Sequence, residues 1–365
     1  MRFTNASGLP ASWTAGFRRD GRELLVVIAK ATYTLPTNGD AARPAPEPVP
    51  LVEADTSTGE PGLSAPHMET DFAHGKPACD VLLVGSAHAP PGQAVTRLRV
   101  GLRVGPMAKQ FDVVGPRHWL RRPGHAAASA PEPFSRLPVG YDHAFGGTDL
   151  TREADGQAEA YLRNPVGRGY WRHTDHLDGQ PLPTSEAVGE PVTDPAGAYA
   201  PQAFSPLGRN WDPRRGYAGT YDRTWIETTA PLWPEDFDER YFQAAPADQQ
   251  VPYLQGGEAV TLLNLTRDGR RDFVLPPLHL PVTFVPHRGR DLRLAMQADT
   301  LVFEPDADRF TVTWRHALPL GRSVFDVRET VVGTPHADWG RERRFPGKPY
   351  YRNLAEAVRA RGGRR

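Results

Sequence analysis

The stretch RDGRELLVVIAKATYTL, residues 19–35, predicts a long β-strand that follows a tight turn. Its dipeptide Asp20-Gly21 is typical of hairpin turns and separates Trp13 to Phe17 from the apolar run. Leu24 to Ala29 is apolar on both faces, so we expect this half of the strand to be central in a sheet. Beyond Ala29 polar and apolar residues alternate, and the polar ones should face solvent: Lys30, Thr32 and Thr34.

Strand patterns recur near both ends of the chain. In the first third they cover Asp80 to Gly85, Thr96 to Val104 and Lys109 to Val114. In the last third they cover Glu258 to Leu265, Arg271 to Leu275, Val282 to Val285, Asp291 to Met296, Thr300 to Phe303 and Phe310 to Trp314. The sequence therefore predicts a mainly β fold, with antiparallel sheets arranged as a split sandwich.

Four regions follow from these patterns, and we expect them to form one compact unit. Residues 1–114 and 258–332 are the two β blocks, and 333–365 is a basic tail. The tail should contain a short helix from Tyr351 to Arg361, and its last residues, Arg359 to Arg365, would attract acidic partners. Residues 115–257 lack periodicity yet hold five of the eight Trp residues, so we expect ordered loops packed on the sheets.

Composition excludes several functional classes. Lys and Arg number 43 and Asp and Glu also 43, so no overall field attracts nucleic acid. The single cysteine, Cys79, rules out an internal disulfide and favours a buried thiol in a reducing compartment. Neither a leader-like apolar segment nor a membrane span is present in the sequence. We expect a cytoplasmic protein that binds neither nucleic acid nor membrane.

No catalytic or metal-binding motif is complete. Ser86 lacks the glycine spacing of a nucleophile elbow. His173 and His176, with Asp175 and Asp178, are better explained as a polar turn than as a metal site. Pro234 and the acidic residues after it suit the first turn of a short helix, although Asp236 and Asp238 could also form an acid/base pair. We expect no metal, no cofactor and no enzymatic activity.

Three long motifs stand out in the middle of the chain: FSPLGRNWDPR (204–214), YAGTYDRTW (217–225) and DFDERYFQAAPADQQ (236–250). Shorter ones, YDHAFGG (141–147) and NPVGRG (164–169), accompany them. Together they resemble a bacterial family of unknown function that is encoded beside type VI secretion genes. The resemblance covers about residues 10–320.

Membership of that family implies a non-enzymatic adaptor or chaperone. Its partners would be a type VI effector or a PAAR-domain protein, and the VgrG spike. The candidate protein-binding residues are Arg209, Trp211, Arg214, Tyr221, Asp222, Trp225, Asp236, Asp238, Arg240, Tyr241, Asp248, Gln249 and Gln250. Many of these types dominate protein interfaces, but each residue could equally tie a loop to the sheets.

Two other functions stay open at this point. One is a hydrolase of carbohydrate or peptidoglycan that uses Asp142, Asp236 or Asp238. The other is a structural component of the secretion apparatus, which would remain in assembled particles.

Overall fold

Strands dominate the fold, as the alternating patterns predict. The computed structural model describes residues 1–37, 39–152, 156, 158–336, 339–344, 351 and 354–362. Strands account for 38% and helices for 11% of the structure. The prediction of a mainly β fold with a long irregular middle segment is confirmed.

A seven-stranded sheet is the centre of the fold. Its strands are β2 (Ala11–Phe17), β3 (Glu23–Thr34), β4 (Arg43–Pro44), β7 (Cys79–Leu83), β19 (Gln250–Val251), β24 (Gln297–Glu304) and β25 (Arg309–Pro319). They are ordered β19-β7-β24-β25-β3-β2, with β4 also paired to β3. The predicted hairpin is present as β2 and β3, and Gly21 in its turn has φ 78°, a conformation that favours glycine.

A five-stranded antiparallel sheet joins the two β blocks. Its strands are β9 (Arg97–Val104), β10 (Met107–Val114), β18 (Ser185–Glu186), β20 (Ala259–Leu263) and β21 (Arg270–Val274). Their order is β18-β10-β9-β20-β21. Strand β9 from the first block thus lies beside β20 from the last, with Leu102 opposite Leu262.

A four-stranded sheet brings together strands from near the two ends of the chain. Its strands are β1 (Arg2–Asn5), β22 (Pro281–Pro286), β23 (Leu292–Ala295) and β26 (Val327–Val332), in the order β1-β26-β22-β23. Strand β1, which the sequence did not predict, runs parallel to β26. Another parallel pair, β7 with β24, lies in the seven-stranded sheet. Parallel pairs need distant partners, so local patterns give no sign of them.

One hydrophobic core is shared by the three large sheets. It includes Val27 from β3, Val100 and Phe111 from β9 and β10, and Phe284 and Val332 from the four-stranded sheet. Cys79 is fully buried in it, as predicted, and burial raises the pKa of its thiol well above the usual value. The thiol is therefore protonated and unreactive at neutral pH.

The opposite face of the seven-stranded sheet carries buried polar side chains beside apolar ones such as Val26 and Ile28. Lys30 and Thr32 were expected to face solvent, and this prediction is wrong, since each is only 4% exposed. The segment of residues 49–76 covers them: Asp71 pairs with Lys30, and the Val49 amide donates to Thr32 Oγ1 at 2.8 Å. The long connection after β3 therefore supplies hydrogen-bond partners to polar side chains that would otherwise face water.

Short elements make up the remainder. The small strand pairs are β5 (Thr56–Ser57) with β6 (Pro66–Met68), β8 (Ser86–His88) with β13 (Arg136–Pro138), β11 (Trp119–Arg122) with β12 (His125–Ala128), β14 (Phe145–Gly146) with β17 (Arg168–Gly169), and β15 (Thr148–Asp149) with β16 (Glu159–Ala160). The 3₁₀ turns are Tyr141–His143, Arg214–Ala218, Glu239–Phe242, Ala247–Gln249, Pro305–Ala307 and Val324–Asp326.

Three α-helices lie in the described part of the chain: α1 (Arg223–Thr228), α2 (Trp339–Arg344) and α3 (Leu354–Gly362). The predicted C-terminal helix corresponds to α3, which begins three residues later than expected. Of the predicted basic tail, Arg359 is exposed on α3, whereas Lys348, Arg352, Arg364 and Arg365 lie outside the described residues. Among the described residues no helix is long and apolar enough to cross a membrane.

Candidate interaction surface

The motif residues separate into a buried set and an exposed set. Trp211, Arg214 and Gln249 are at most 3% exposed. Tyr221 and Asp222 are exposed, and Trp225 is half-buried. The structure thus brings the three motifs together without making them one continuous surface.

Arg214 ties two motifs to the long connection after β3. Its guanidinium donates to the carbonyl oxygens of Leu207 and Tyr241, each at 2.8 Å, and pairs with Glu69. Arg209 also reaches Glu69, at 2.9 Å, and pairs with Asp55 at 2.7 Å. These contacts are internal, so they favour the structural role that the sequence left open for both arginines.

The Asp55 carboxyl shows the strength of this network. Burial raises its pKa, but hydrogen bonds from Arg209 and from the Thr70 amide lower it by more, so the pKa lies below its usual value. Asp55 is therefore ionised at neutral pH, and the pair stays charged.

Gln249 connects the third motif to the central sheet. Its amide donates to the carbonyl oxygens of Val81 and Phe204 at 2.8 and 3.0 Å, and its oxygen accepts from Lys109 at 2.8 Å. The same ammonium pairs with Asp248 at 3.1 Å, while Gln250 donates to a nearby carbonyl. Burial lowers the pKa of Lys109, and the charge of Asp248 opposes that shift.

Trp211 is packed in a small cluster away from solvent. Its ring meets that of Tyr141 edge to face, with 5.5 Å between the ring centres. A methyl group at Gly208 would lie 2.7 Å from the indole, so the backbone of the first motif approaches the ring closely. The tryptophan holds this loop rather than presenting a contact surface.

The second motif forms an exposed projection that the sequence did not predict as a helix. Asp222 caps α1 by accepting from the Trp225 amide at 2.8 Å, and the described side chains of α1 are not buried. The Trp225 indole donates to the Leu232 carbonyl at 2.9 Å and contacts the Tyr221 ring. The sequence signal was Asp222 itself, a favoured N-cap residue.

This projection rests against the turn of the β2–β3 hairpin. The Trp233 indole donates to the Phe17 carbonyl at 2.9 Å, and its ring stacks on Phe237 with centres 4.3 Å apart. The exposed fractions of Phe17, Tyr221 and Ile226 are 51%, 49% and 65%. We name this surface the aromatic ledge, and its members are Phe17, Tyr221, Trp225, Ile226, Leu232 and Trp233.

The acidic residues near the ledge make local contacts. The carboxylate of Asp236 accepts from the Thr220 amide and hydroxyl, and these hydrogen bonds lower its pKa. Asp238 pairs with Arg240, which lowers the pKa of the carboxyl. Asp238 is the N-cap of the 3₁₀ turn Glu239–Phe242, so the helix begins later than the Pro234 start that the sequence predicted.

Arg240 and Tyr241 complete the motif on the side away from the core. The Arg240 guanidinium lies 4.3 Å from the centre of the Tyr217 ring and is exposed. Tyr241 is half-buried, and the guanidinium carbons of Arg209 and Arg214 lie 5.8 and 5.7 Å from its ring centre. Arg240 is therefore open to a partner, whereas Tyr241 mainly covers the internal arginines.

A cleft of about 980 Å³ opens beside the ledge. Its walls come from the hairpin turn, from residues 74–77, from the third motif and from β24 and β25. The cleft floor contains the buried ion pair of Asp299 with Arg315, and both side chains are at most 3% exposed. Because these two charges neutralise each other, the floor of the cleft is an internal ion pair. It does not offer unpaired acid or base groups for catalysis.

The other chemical candidates also make structural contacts. Ser86 donates to Asp306 at 2.9 Å, and His88 meets the second oxygen of that carboxylate at 3.0 Å. A nucleophilic serine needs the histidine as its immediate base, and here the aspartate lies between them. Asp142, named for the hydrolase alternative, accepts from Thr58 Oγ1 and the Ala65 amide at 2.6 and 2.8 Å.

The histidine-rich turn does not gather metal ligands. Asp178 accepts from the Arg121 amide, and the backbone of His173 donates to Asp149. Within the described ranges no group of three or more His, Cys, Asp or Glu residues could hold a metal ion.

Comparison with known families identifies the chain. Residues 20–315 match the family described as uncharacterized proteins conserved in bacteria, DUF2169. The chain belongs to this family. The match runs through both β blocks and the motif segment. Neither the curated proteins nor the solved structures give a significant match.

Proposed function

We propose that this chain is a non-enzymatic adaptor of type VI secretion. It holds an effector or a PAAR-containing protein in the cytoplasm until that cargo is loaded onto the VgrG spike. The link to secretion rests on the motif resemblance. The observation that supports a binding role is the aromatic ledge, where Phe17, Tyr221 and Ile226 leave apolar area exposed.

The ledge has the features of a protein-binding surface. Rigid aromatic and aliphatic side chains give large contact area at low cost in conformational entropy, and interfaces concentrate binding energy in such residues. Exposed apolar clusters on a folded surface commonly mark interaction sites. Arg240 lies nearby in the third motif, and its exposed guanidinium pairs with Asp238 and has further N–H groups that can donate to a partner.

The carboxylates of the hydrolase alternative offer less support for an enzyme. Asp236 and Asp142 accept from hydroxyl and amide groups, and Asp238 pairs with Arg240. A general acid needs a raised pKa, but the pKa values of Asp236 and Asp238 are both lowered. These observations favour binding over hydrolysis.

The test begins with affinity capture of the full chain from its native cytoplasm, with mass-spectrometric identification of co-purifying proteins. Tyr221→Ala combined with Ile226→Ser should reduce cargo recovery at least tenfold, because both side chains contribute exposed apolar area. Leu63→Ser is the matched control, since Leu63 is 73% exposed but lies outside the ledge.

Genetic deletion separates the adaptor from its alternatives. Loss of the gene should abolish delivery of one neighbouring effector and leave sheath contraction and general secretion intact. Loss of all secretion would instead support a structural component, and substrate turnover by the purified protein would support an enzyme.

A further inference from the structure

Strand β2 leaves a free hydrogen-bonding edge on the seven-stranded sheet. The Lys30 amide donates to Pro10 O, and the Arg18 amide donates to Arg22 O, which fixes the alternation of the β2–β3 ladder. Residues 12, 14 and 16 therefore turn their main-chain groups toward β3, and residues 11, 13 and 15 turn theirs outward. Among the hydrogen bonds of the described residues, the amides of Ala11, Trp13 and Ala15 have no acceptor.

This edge lacks the protection that proteins usually give to outer strands. Charged side chains, proline and very short length prevent unwanted strand pairing. The other outer strands of the three large sheets have such features: β1 contains Arg2, β23 contains Arg293, β21 contains Arg270, Arg271 and Asp272, and β18 and β19 have two residues each. Strand β2, with the sequence ASWTAGF, has seven residues without charge or proline.

The side chains of β2 add an apolar surface beside the free edge. Trp13 and Phe17 project from the same face, because they are four residues apart in a strand, and they are 37% and 51% exposed. At the Phe17 end, the hydrogen bond from Trp233 occupies the carbonyl and joins the edge to the aromatic ledge. The open portion of the edge is thus Ala11 to Ala15, and one end of it meets the ledge.

Charges at the hairpin turn indicate what kind of segment fits. The turn contains Arg18, Arg19 and Arg22 against a single acid, Asp20, which gives a local charge of 3 minus 1, or +2, and all four residues are exposed. At the other end of β2, residues 6–10 contain no charge. A second copy paired through a twofold axis would place the arginines opposite those uncharged residues. A partner segment with an acidic residue at that end would complement them.

We infer that an extended segment of the cargo pairs with β2 as an additional antiparallel strand along Ala11 to Ala15. The segment is apolar at alternate positions, so that it covers Trp13, and it has an acidic residue at its N-terminal end beside the arginine turn. Main-chain hydrogen bonds provide the affinity, and the side chains provide the selectivity, as in other strand-addition complexes. This inference rests on the proposed adaptor function.

A defined peptide tests the edge without knowledge of the cargo. The probe is a fluorescein-labelled peptide Asp-Asp-Thr-Val-Thr-Val-Thr-Val-Gly, and its control carries Lys-Lys in place of Asp-Asp. Fluorescence anisotropy with the full chain should show at least threefold tighter binding of the acidic peptide. Ala15→Pro should weaken that binding at least tenfold, because proline removes an outward amide that the fold itself does not use.

Two further measurements keep the test decisive. Arg19→Glu changes only an exposed turn residue and brings the local charge from +2 to 2 minus 2, or 0, so it should abolish the preference between the two peptides while the urea midpoint stays unchanged. Hydrogen exchange of the segment 10–17 should slow by about three amides when the acidic peptide is bound. Equal binding by the wild type and Ala15→Pro, or absence of binding, would overturn the inference.

The outcomes also separate this inference from the proposed function. If wild type sediments as a dimer and Ala15→Pro as a monomer, the edge pairs copies of this chain, and the inference is overturned. If Ala15→Pro still recovers cargo that the ledge variant loses, the adaptor role stands and strand addition is wrong. If peptide binding follows the predicted pattern but no cargo is recovered, the edge binds strands and the adaptor proposal fails.

Discussion

The buried part of the motif segment and the aromatic ledge use the same residue types in opposite ways. Arg214 and Trp211 are enclosed and make contacts within the fold, whereas Arg240 and Trp225 lie in the exposed part a short distance along the chain. Arginine and tryptophan suit both tasks because each combines a large apolar surface with hydrogen-bond donors. The type of a motif residue therefore does not show whether it stabilises the fold or binds a partner. Its burial and its hydrogen-bond partners distinguish the two roles.

Removal of Arg214 should have the largest effect on the buried part. Arg214→Ala leaves Glu69 and two carbonyl oxygens without this donor, and loss of one partner from a buried charged network costs about 3–5 kcal/mol. Urea unfolding measures the change. The neighbouring Arg215→Ala is the matched control, because Arg215 is exposed and pairs only with Asp212 among the described residues. Equal losses of unfolding free energy in the two variants would mean that Arg214 does not stabilise the fold through these buried contacts.

The boundary between the two parts should be sensitive to pH. Burial lowers the pKa of His74, which packs against Trp233 and Phe242, and its Nδ1 has no partner among the described residues. A methyl group at Gly16 would lie 2.6 Å from the imidazole ring, so the site has little room for rearrangement. The unfolded chain therefore binds the proton more readily than the folded one, and the free energy of unfolding falls as pH drops below the ordinary histidine value.

The measurement is urea unfolding between pH 7.5 and 5.5 for the wild type and for His74→Leu. In the variant, the free energy of unfolding should depend less on pH. The remaining dependence belongs to other half-buried histidines with lowered pKa values, such as His143 and His316. Carboxyl groups with lowered pKa values titrate only at more acidic pH, so they do not contribute to the change between pH 7.5 and 5.5. The prediction would be contradicted if the free energy of unfolding changed equally with pH in both proteins.

Substitution on the ledge should have the smallest effect on stability. Ile226 is 65% exposed, so Ile226→Ser should change the free energy of unfolding by less than about 0.5 kcal/mol. The same urea experiment measures it. A loss comparable to that of Arg214→Ala would show that Ile226 is packed in solution, and the ledge would not be a free surface.

Local sequence signals were sufficient for much of the fold. Asp20-Gly21 predicted the β2–β3 hairpin, and the same dipeptide, Asp268-Gly269, lies between the paired strands β20 and β21. Both depend on turn chemistry and on neighbours close in sequence. The pairing of β7 with β24 and of β1 with β26 depends on residues more than 200 positions apart, and no local pattern reports that. The burial of Lys30 was missed because the pattern of a strand does not show the segment of residues 49–76 that covers it.

The site was harder to predict than the fold. The predicted binding residues include Tyr221 and Trp225 of the ledge, but not Phe17, Ile226, Leu232 or Trp233. Ile226 and Leu232 carry no family motif, and Phe17 joins the ledge only because the hairpin turn meets the projection in space. The free edge of β2 was also invisible in sequence, since an outer strand and an inner one can share the same alternation.

The parallel pairing of β1 with β26 has a consequence for how the chain is made. Residues 2–5 leave the ribosome long before their partners at 329–332. The four-stranded sheet cannot be completed until residues 329–332 have been synthesised, so residues 2–5 must wait with their hydrogen-bonding groups unmatched. A stalled or shortened translation product would therefore lack this closure even when the first hairpin has already formed.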